Sequence, residues 1–341
     1  MTANRGCVLV TGGAGYIGSH TTLQLADAGY GVVVLDNLCT GHRWAVAPSA
    51  EFYEGNAGDA ALLKKIFQRH KITKVIHFAA HTIVPESVTD PIKYYHNNTV
   101  VSQRLIAACA ANGIDRFLFS SSAAVYGLPA AVAVTEASPT TPMNPYGTTK
   151  LITEWMLRDT ATAMSQFRYL ALRYFNVAGA RLDGSLGQAT ADATHLIKVA
   201  CEAACGHRPG VTIFGGDYET RDGTCVRDYI HVDDLAAAHV AALSYLNDGG
   251  ESRSLNCGYG YGYTVREIVD TVRRVSGVEF PVSIGNRRPG DPAAVVADNS
   301  LLREWLDWHP RHNDIELICR TAYEWERELT NRFTGNVARH Q

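Results

Sequence analysis

A chain of 341 residues, 46% of them apolar, can bury a sizeable core and exceeds the length at which a single core stops growing, so two associated lobes are expected. Lys plus Arg number 31 against 34 Asp plus Glu, a net charge of −3 with no run of five like charges, which argues against nucleic acid as a partner. No apolar stretch approaches the ~18 residues that span a bilayer, and the apolar run 7–10 after the polar start is too short for a signal-peptide core, so a cytoplasmic protein with no membrane association is expected.

In chain order, β-branched runs at 7–11, 32–36, 74–79, 116–121 and 169–175 alternate with segments at 20–28, 60–70, 99–112 and 146–164 whose apolar residues recur every three or four positions. That alternation predicts an α/β fold, a Rossmann-type doubly wound parallel sheet with helices on both faces. Residues 179–194, rich in Gly, Ala and polar side chains without a period, predict a long loop leading into a smaller, mixed α/β C-terminal lobe. Residues 1–178 are expected to form the parallel-sheet domain, with 226–247 returning to it, and 179–341 mainly the smaller lobe. An amphipathic segment at 314–329, with Ile315, Ile318, Ala322 and Trp325 on one side, predicts a packing helix. The eight cysteines include no CxxC pair and are read as reduced thiols. Cys201, Cys205 and His207 fall short of the four converging ligands of a structural zinc site, so no metal is expected.

The first strand runs directly into Gly12-Gly13-Ala14-Gly15-Tyr16-Ile17-Gly18 and then a helix. Glycines there permit a tight turn, let backbone N–H groups approach a pyrophosphate, and let the helix pack on the strand, while the helix N-terminus favours negative charge. Asp36 ends the next strand, where a carboxylate accepts from adenosine ribose hydroxyls and repels a 2′-phosphate. Asn37-Leu38-Cys39 offers no Arg for such a phosphate, so the expected cofactor is NAD rather than NADP.

Asn144 is a good N-cap and Pro145 suits the first helical position, which places Tyr146 and Lys150 one turn apart on one helix face. An unperturbed phenol titrates near 10, so a phenolate near pH 7 needs a shift worth ~4 kcal/mol, which Lys150 and a positive nicotinamide are expected to supply. A Tyr-x-x-x-Lys pair alone is more often a packing Tyr and a solvated Lys. Here a partner stands in Phe119-Ser120-Ser121-Ser122-Ala123-Ala124-Val125-Tyr126-Gly127 at the carboxyl end of a strand, where ligands bind in parallel sheets. Ser122 is placed to hydrogen-bond a reacting hydroxyl, while Ser120 and Ser121 are expected to include a residue that only satisfies its own backbone.

Thr11-Gly-Gly-Ala-Gly-Tyr-Ile-Gly-Ser-His20, Leu35-Asp-Asn-Leu38, Ser120-Ser-Ser-Ala-Ala-Val-Tyr-Gly127, Pro145-Tyr-Gly-Thr-Thr-Lys150, Arg173-Tyr-Phe-Asn176 and Val226-Arg-Asp-Tyr-Ile-His-Val232 follow in an order that covers nearly the whole chain. In these motifs the sequence resembles the UDP-glucose (UDP-galactose) 4-epimerase family of the extended short-chain dehydrogenase/reductases. The resemblance implies Tyr146 as the base that takes the 4-hydroxyl proton, Ser122 as its aligner, and Lys150 as holder of the nicotinamide ribose. It implies that a 4-keto sugar forms, turns over within the site and is reduced on its other face. Around NAD it implies Gly12, Gly15, Tyr16, Ile17, Gly18, Asp36, Asn37, Asn56, Ala57, Phe78, Ala79, Ala80, Asn97, Ser120, Tyr146, Lys150 and Tyr174. Around the UDP-sugar it implies Ser122, Tyr146, Phe175, Asn176, His195, Leu196, Thr212, Phe214, Arg227, Arg288, Asp291 and Val295, with the two Arg on the diphosphate and Phe214 against uracil. A homodimer through paired helices at 99–112 and 146–164 is also implied.

Three departures bear on specificity. Val295 stands where many relatives place Tyr, which enlarges the sugar site toward a 2-acetamido group. Thr82 replaces a Lys near the cofactor phosphate, and Asn56 replaces an Asp at the adenine amino group, where its carbonyl still accepts. Related dehydratases need an acid pair where this chain has Ala123 and Ala124, which disfavours water elimination. UDP-glucuronate or UDP-pentose 4-epimerisation remains open as an alternative, and a non-catalytic NAD-binding scaffold is more remote because the Tyr-Lys pair is intact.

Overall fold

The computed structural model describes residues 6–288 and 290–337; residues 1–5, the polar start, lie outside the described residues. Seven strands form one parallel sheet: β1 (Cys7–Thr11), β2 (Gly31–Asp36), β3 (Glu51–Glu54), β4 (Ile72–His77), β5 (Arg116–Ser122), β6 (Arg168–Tyr174) and β7 (Arg253–Cys257). Their order is β7-β6-β5-β4-β1-β2-β3, so the chain reverses its winding direction between β1 and β4. A crevice outside the carboxyl ends of the strands at such a switch point is where ligands bind in open α/β sheets.

Both faces of the sheet are apolar, because alternate residues of each buried strand point opposite ways. Val8, Val10, Val32, Val34, Leu118 and Leu172 face one core, which α1 (Tyr16–Asp27) closes with Leu25 and the returning helix Val232–Asn247 closes with Leu235, Ala242 and Leu246. Leu9, Val33, Leu35, Phe117 and Phe119 face the other, closed by α2 (Ala60–Arg69), α3 (Val101–Ala111) and α4 (Pro145–Ala163) through Leu63, Ile66, Leu105 and Leu157. The first core continues into the C-terminal part through Ile197, Cys201, Ile268, Val272, Ile318 and Cys319.

Outside that sheet, short strands build a mixed sheet of Gly262–Thr264, Val226–His231, Ala294–Ala297 and Ala133–Val134, with Asn176–Ala178 joined to Val226–His231. Residues 179–194 carry only an isolated bridge between Ala180 and Gly187, as the absence of a period predicts. They are held from three sides: His42 Nε2 lies 3.1 Å from the Ala189 carbonyl, Trp325 Nε1 donates to the Gln188 carbonyl, and Arg208 donates to the Ala193 carbonyl.

Several element ends differ from the expectation. The first helix starts at Tyr16 rather than residue 20, since Gly15 already turns the chain and Gly18 is accommodated inside the helix. β4 spans Ile72–His77 and leaves Phe78 and Ala79 to line the crevice; β6 ends at Tyr174, before Phe175. The segment predicted as one helix at 99–112 is preceded by helices Val84–Thr89 and Pro91–Tyr94, and it joins α3 through a wider turn over Tyr95–Val100. That wider turn displaces the three- and four-residue spacing by which a regular helix is recognised.

Candidate active site

The crevice, about 1090 Å³, begins at the turn after β1. Gly12 is left-handed (φ 75°), and a Cβ there would stand 2.5 Å from the Ala79 backbone nitrogen. A Cβ on Gly18 would stand 2.2 Å from the Gly12 carbonyl oxygen, so the close seating of α1 on the turn depends on glycine at both places. No side chain caps the N-terminus of α1, so its first amides and the positive end of its dipole face the crevice beside Tyr16, Ile17 and Gly18. Across from them, buried Asp36 accepts from the Ala14 N–H through Oδ2 (3.0 Å) and from the Leu38 N–H through Oδ1 (2.9 Å). An uncapped helix start opposite a carboxylate held at the end of β2 fits the pyrophosphate and ribose of a dinucleotide. Asn37, Asn56, Ala57, Phe78, Ala79, Ala80, Asn97 and Tyr174 line the same wall, as does Thr82. The Asn56 carbonyl, expected to accept from an adenine amino group, already accepts from the Gly58 N–H at 2.7 Å.

The Asn144 side chain accepts from the Gly147 N–H and Pro145 opens α4, which fixes the helix start as its local chemistry predicts. Tyr146 and Lys150 are both buried. Lys150 Nζ donates to the Ser120 carbonyl at 2.8 Å and lies 5.8 Å from the Tyr146 ring centroid. Burial lowers the ammonium to about 7, with the Glu154 carboxylate opposing that shift. Burial raises the Tyr146 phenol, and its hydrogen bond with the Ser122 hydroxyl pulls the other way. Lys150 is not among the groups that shift this phenol: its ammonium donates to the Ser120 carbonyl and lies beside the ring. Ser120 and Lys150 sit behind the crevice surface, and Ser122 and Tyr146 on it. Ser120 and Ser121 do not serve their own backbone: Ser120 Oγ meets the Tyr174 hydroxyl at 2.8 Å, and Ser121 donates to Glu154.

All twelve residues expected around the sugar nucleotide line the crevice. Asn176 donates to the Asp228 carbonyl, and His195 Nδ1 lies 3.2 Å from Gln188 Nε2, with burial lowering the imidazole. Arg227 pairs with Asp291 at 3.5 Å. The Arg288 guanidinium covers Phe214, 3.8 Å above the centroid of the ring expected to pack against uracil. Val295 is adjacent to Arg227 in strand register and packs with Val125, Tyr126, Val134 and Leu151, which leaves it 6% exposed. Sequence reasoning missed Gln188, Thr190, Thr194 and Arg208, which also line the crevice. Three of them belong to the aperiodic loop, and no local pattern marks Arg208.

Short-chain dehydrogenase/reductases are the class that this strand order and this Tyr-Lys helix define. The chain belongs to the NAD dependent epimerase/dehydratase family, whose model matches residues 8–258. It is 53% identical over 329 residues to the UDP-glucose 4-epimerase of Azospirillum brasilense, covering 96% of this chain and 94% of that one. The crystal structure of UDP-glucose 4-epimerase from Brucella ovis in complex with NAD matches with a TM-score of 0.91 at 47% identity, covering 94% of this chain and 98% of that one. The UDP-Glc/GlcNAc 4-epimerase from Campylobacter jejuni matches with a TM-score of 0.84 at 46% identity, covering 95% and 99%.

Proposed function

We propose that the chain is an NAD-dependent UDP-sugar 4-epimerase that interconverts UDP-glucose and UDP-galactose and admits their 2-acetamido counterparts. The observation that carries this reading is that Tyr146 and Ser122, whose hydroxyl lowers the buried phenol, line the same crevice as the uncapped helix start and Asp36. NAD, when bound, would supply the hydride acceptor and donor for oxidation and re-reduction at sugar C4. Tyr146 takes the 4-hydroxyl proton and gives it back, and Ser122 aligns that hydroxyl. Lys150, whose ammonium rests on the Ser120 carbonyl behind the crevice wall, would hold the nicotinamide ribose from there. Gly12, Gly15, Tyr16, Ile17 and Gly18 cradle the pyrophosphate, and Asp36 and Asn37 take the adenosine ribose. Arg227 and Arg288 clamp the sugar-nucleotide diphosphate, with Asn176, His195, Leu196, Thr212, Phe214 and Asp291 around the uridine. Phe175 and Val295 border the sugar.

In this reading residues 1–178 with 226–247 bind the dinucleotide, and 179–341 mainly bind the UDP-sugar. Two copies pair through the helices at 99–112 and 146–164, a reading supported by the exposure of Val100 and Trp155. The reducing cytoplasm suits its free thiols. The names of the relatives favour a hexose over the glucuronate or pentose alternatives. The test is to incubate the purified enzyme separately with UDP-glucose, UDP-N-acetylglucosamine, UDP-xylose and UDP-glucuronate and to resolve the products. UDP-glucose should give the highest kcat/KM; a higher value for UDP-xylose or UDP-glucuronate would overturn the hexose assignment.

A further inference from the structure

We propose that Ser121, Glu154 and Arg173 form a buried positioning lock that sets the strand end carrying Ser122 against the helix carrying Tyr146 and Lys150. The inference rests on the epimerase reading above. Glu154 is one turn beyond Lys150 on α4 and 4% exposed. Its Oε1 accepts from the Ser121 hydroxyl and from Arg173 Nε (3.0 Å), and its Oε2 accepts from Arg173 Nη2 (2.6 Å) and the Ser254 hydroxyl (3.1 Å). Arg173 also donates to the Tyr126 hydroxyl (3.0 Å), which donates to Asn256 Oδ1 (2.7 Å). One carboxylate thereby ties α4 to β5, β6 and β7 at the level of the chemistry.

Strand alternation explains the placement. Ser121, like Phe117 and Phe119, points to the α4 face, whereas Ser120 holds Lys150 through its carbonyl and Ser122 meets Tyr146. Two successive residues of β5, Ser120 and Ser121, therefore hold Lys150 and Glu154 on one helix, and the next, Ser122, faces Tyr146 one turn before them. A buried ion pair adds little net stability over apolar side chains of the same volume, so its contribution here is to geometry. Glu154 also supports the Lys150 ammonium electrostatically. The other titratable groups packed around that ammonium do not: Tyr146 and Tyr174 are phenols pushed up by burial, His77 is held down to about 3, and Arg173 is a cation.

The test compares Ser121→Ala, Glu154→Gln and Arg173→Lys with the wild-type holoenzyme by kcat and KM for UDP-galactose, Kd for UDP, bound NAD, and the pH profile of kcat. Glu154→Gln should lose about tenfold or more in kcat, since small misplacements of reacting groups are costly. KM, UDP affinity and NAD content should be unchanged, and the alkaline limb should move to lower pH. Ser121→Ala, which buries no unpaired charge, should lose kcat by a smaller factor with KM again unchanged, and Arg173→Lys should fall between them. Wild-type kcat in Ser121→Ala overturns the lock even if Glu154→Gln fails to fold. So does a kcat loss matched by an equal loss of UDP affinity, which marks a general structural role. A wild-type enzyme inert toward every UDP-sugar instead overturns the epimerase reading, and the lock with it.

Discussion

Lys150→Met should stabilise the cofactor-free protein at pH 6 while abolishing turnover. Burial takes the Lys150 ammonium from 10.5 to about 7. At about 1.4 kcal/mol per pH unit, the charged form carries a folding penalty of about 5 kcal/mol. Methionine removes that penalty but leaves the Ser120 carbonyl without its donor, at a cost of about 1–3 kcal/mol. The net gain at pH 6 is about 2–4 kcal/mol. Its sign depends on pH. The folded lysine titrates near 7 and the unfolded one near 10.4, so between these values the unfolded chain binds more protons and the wild type gains stability as pH rises. The advantage of the variant should therefore shrink by about 1.4 kcal/mol per unit above pH 7 and be nearly gone by pH 9. Urea unfolding of both cofactor-stripped proteins at pH 6 and 9 measures this. A variant less stable than wild type at pH 6, or a difference independent of pH, would refute the burial argument.

Gly12→Ala should copurify with little NAD and unfold at lower temperature. The left-handed backbone alone costs about 1–2 kcal/mol, and the added Cβ, 2.5 Å from the Ala79 nitrogen, forces β1 and the segment after β4 apart. Wild-type cofactor content and thermal midpoint would count against the cradle. Val295→Tyr should lower kcat/KM for UDP-N-acetylglucosamine at least about tenfold relative to UDP-glucose; an unchanged ratio would show that the acetamido group lies elsewhere.

The parts legible in the sequence are those fixed by neighbours along the chain. The strand–turn–helix around Gly12–Gly18 and the capped start of α4 depend on chemistry within a few residues, and both are present, with the first helix starting one turn earlier than expected. The alternation of strand and helix segments likewise predicts helices on both sheet faces, and two apolar cores flank the sheet. The interrupted helices over 84–100 were less legible, because a wider turn breaks the period. Gln188 and Arg208 were invisible because their positions follow from contacts with His195 and Ala193 made in three dimensions. Ser121 looked the least informative of its three serines. Its partner is 33 positions away on α4, and only the packing of helix on sheet brings the two together.

The central claim is that Tyr146 moves the 4-hydroxyl proton. Tyr146→Phe keeps the ring and removes the hydroxyl to which that step is assigned. The direct measurement is interconversion of UDP-galactose and UDP-glucose by Tyr146→Phe, with bound NAD quantified in the same preparation. The account predicts turnover lower by about three orders of magnitude or more at wild-type NAD content. Near-wild-type turnover in a fully NAD-loaded Tyr146→Phe enzyme would contradict it.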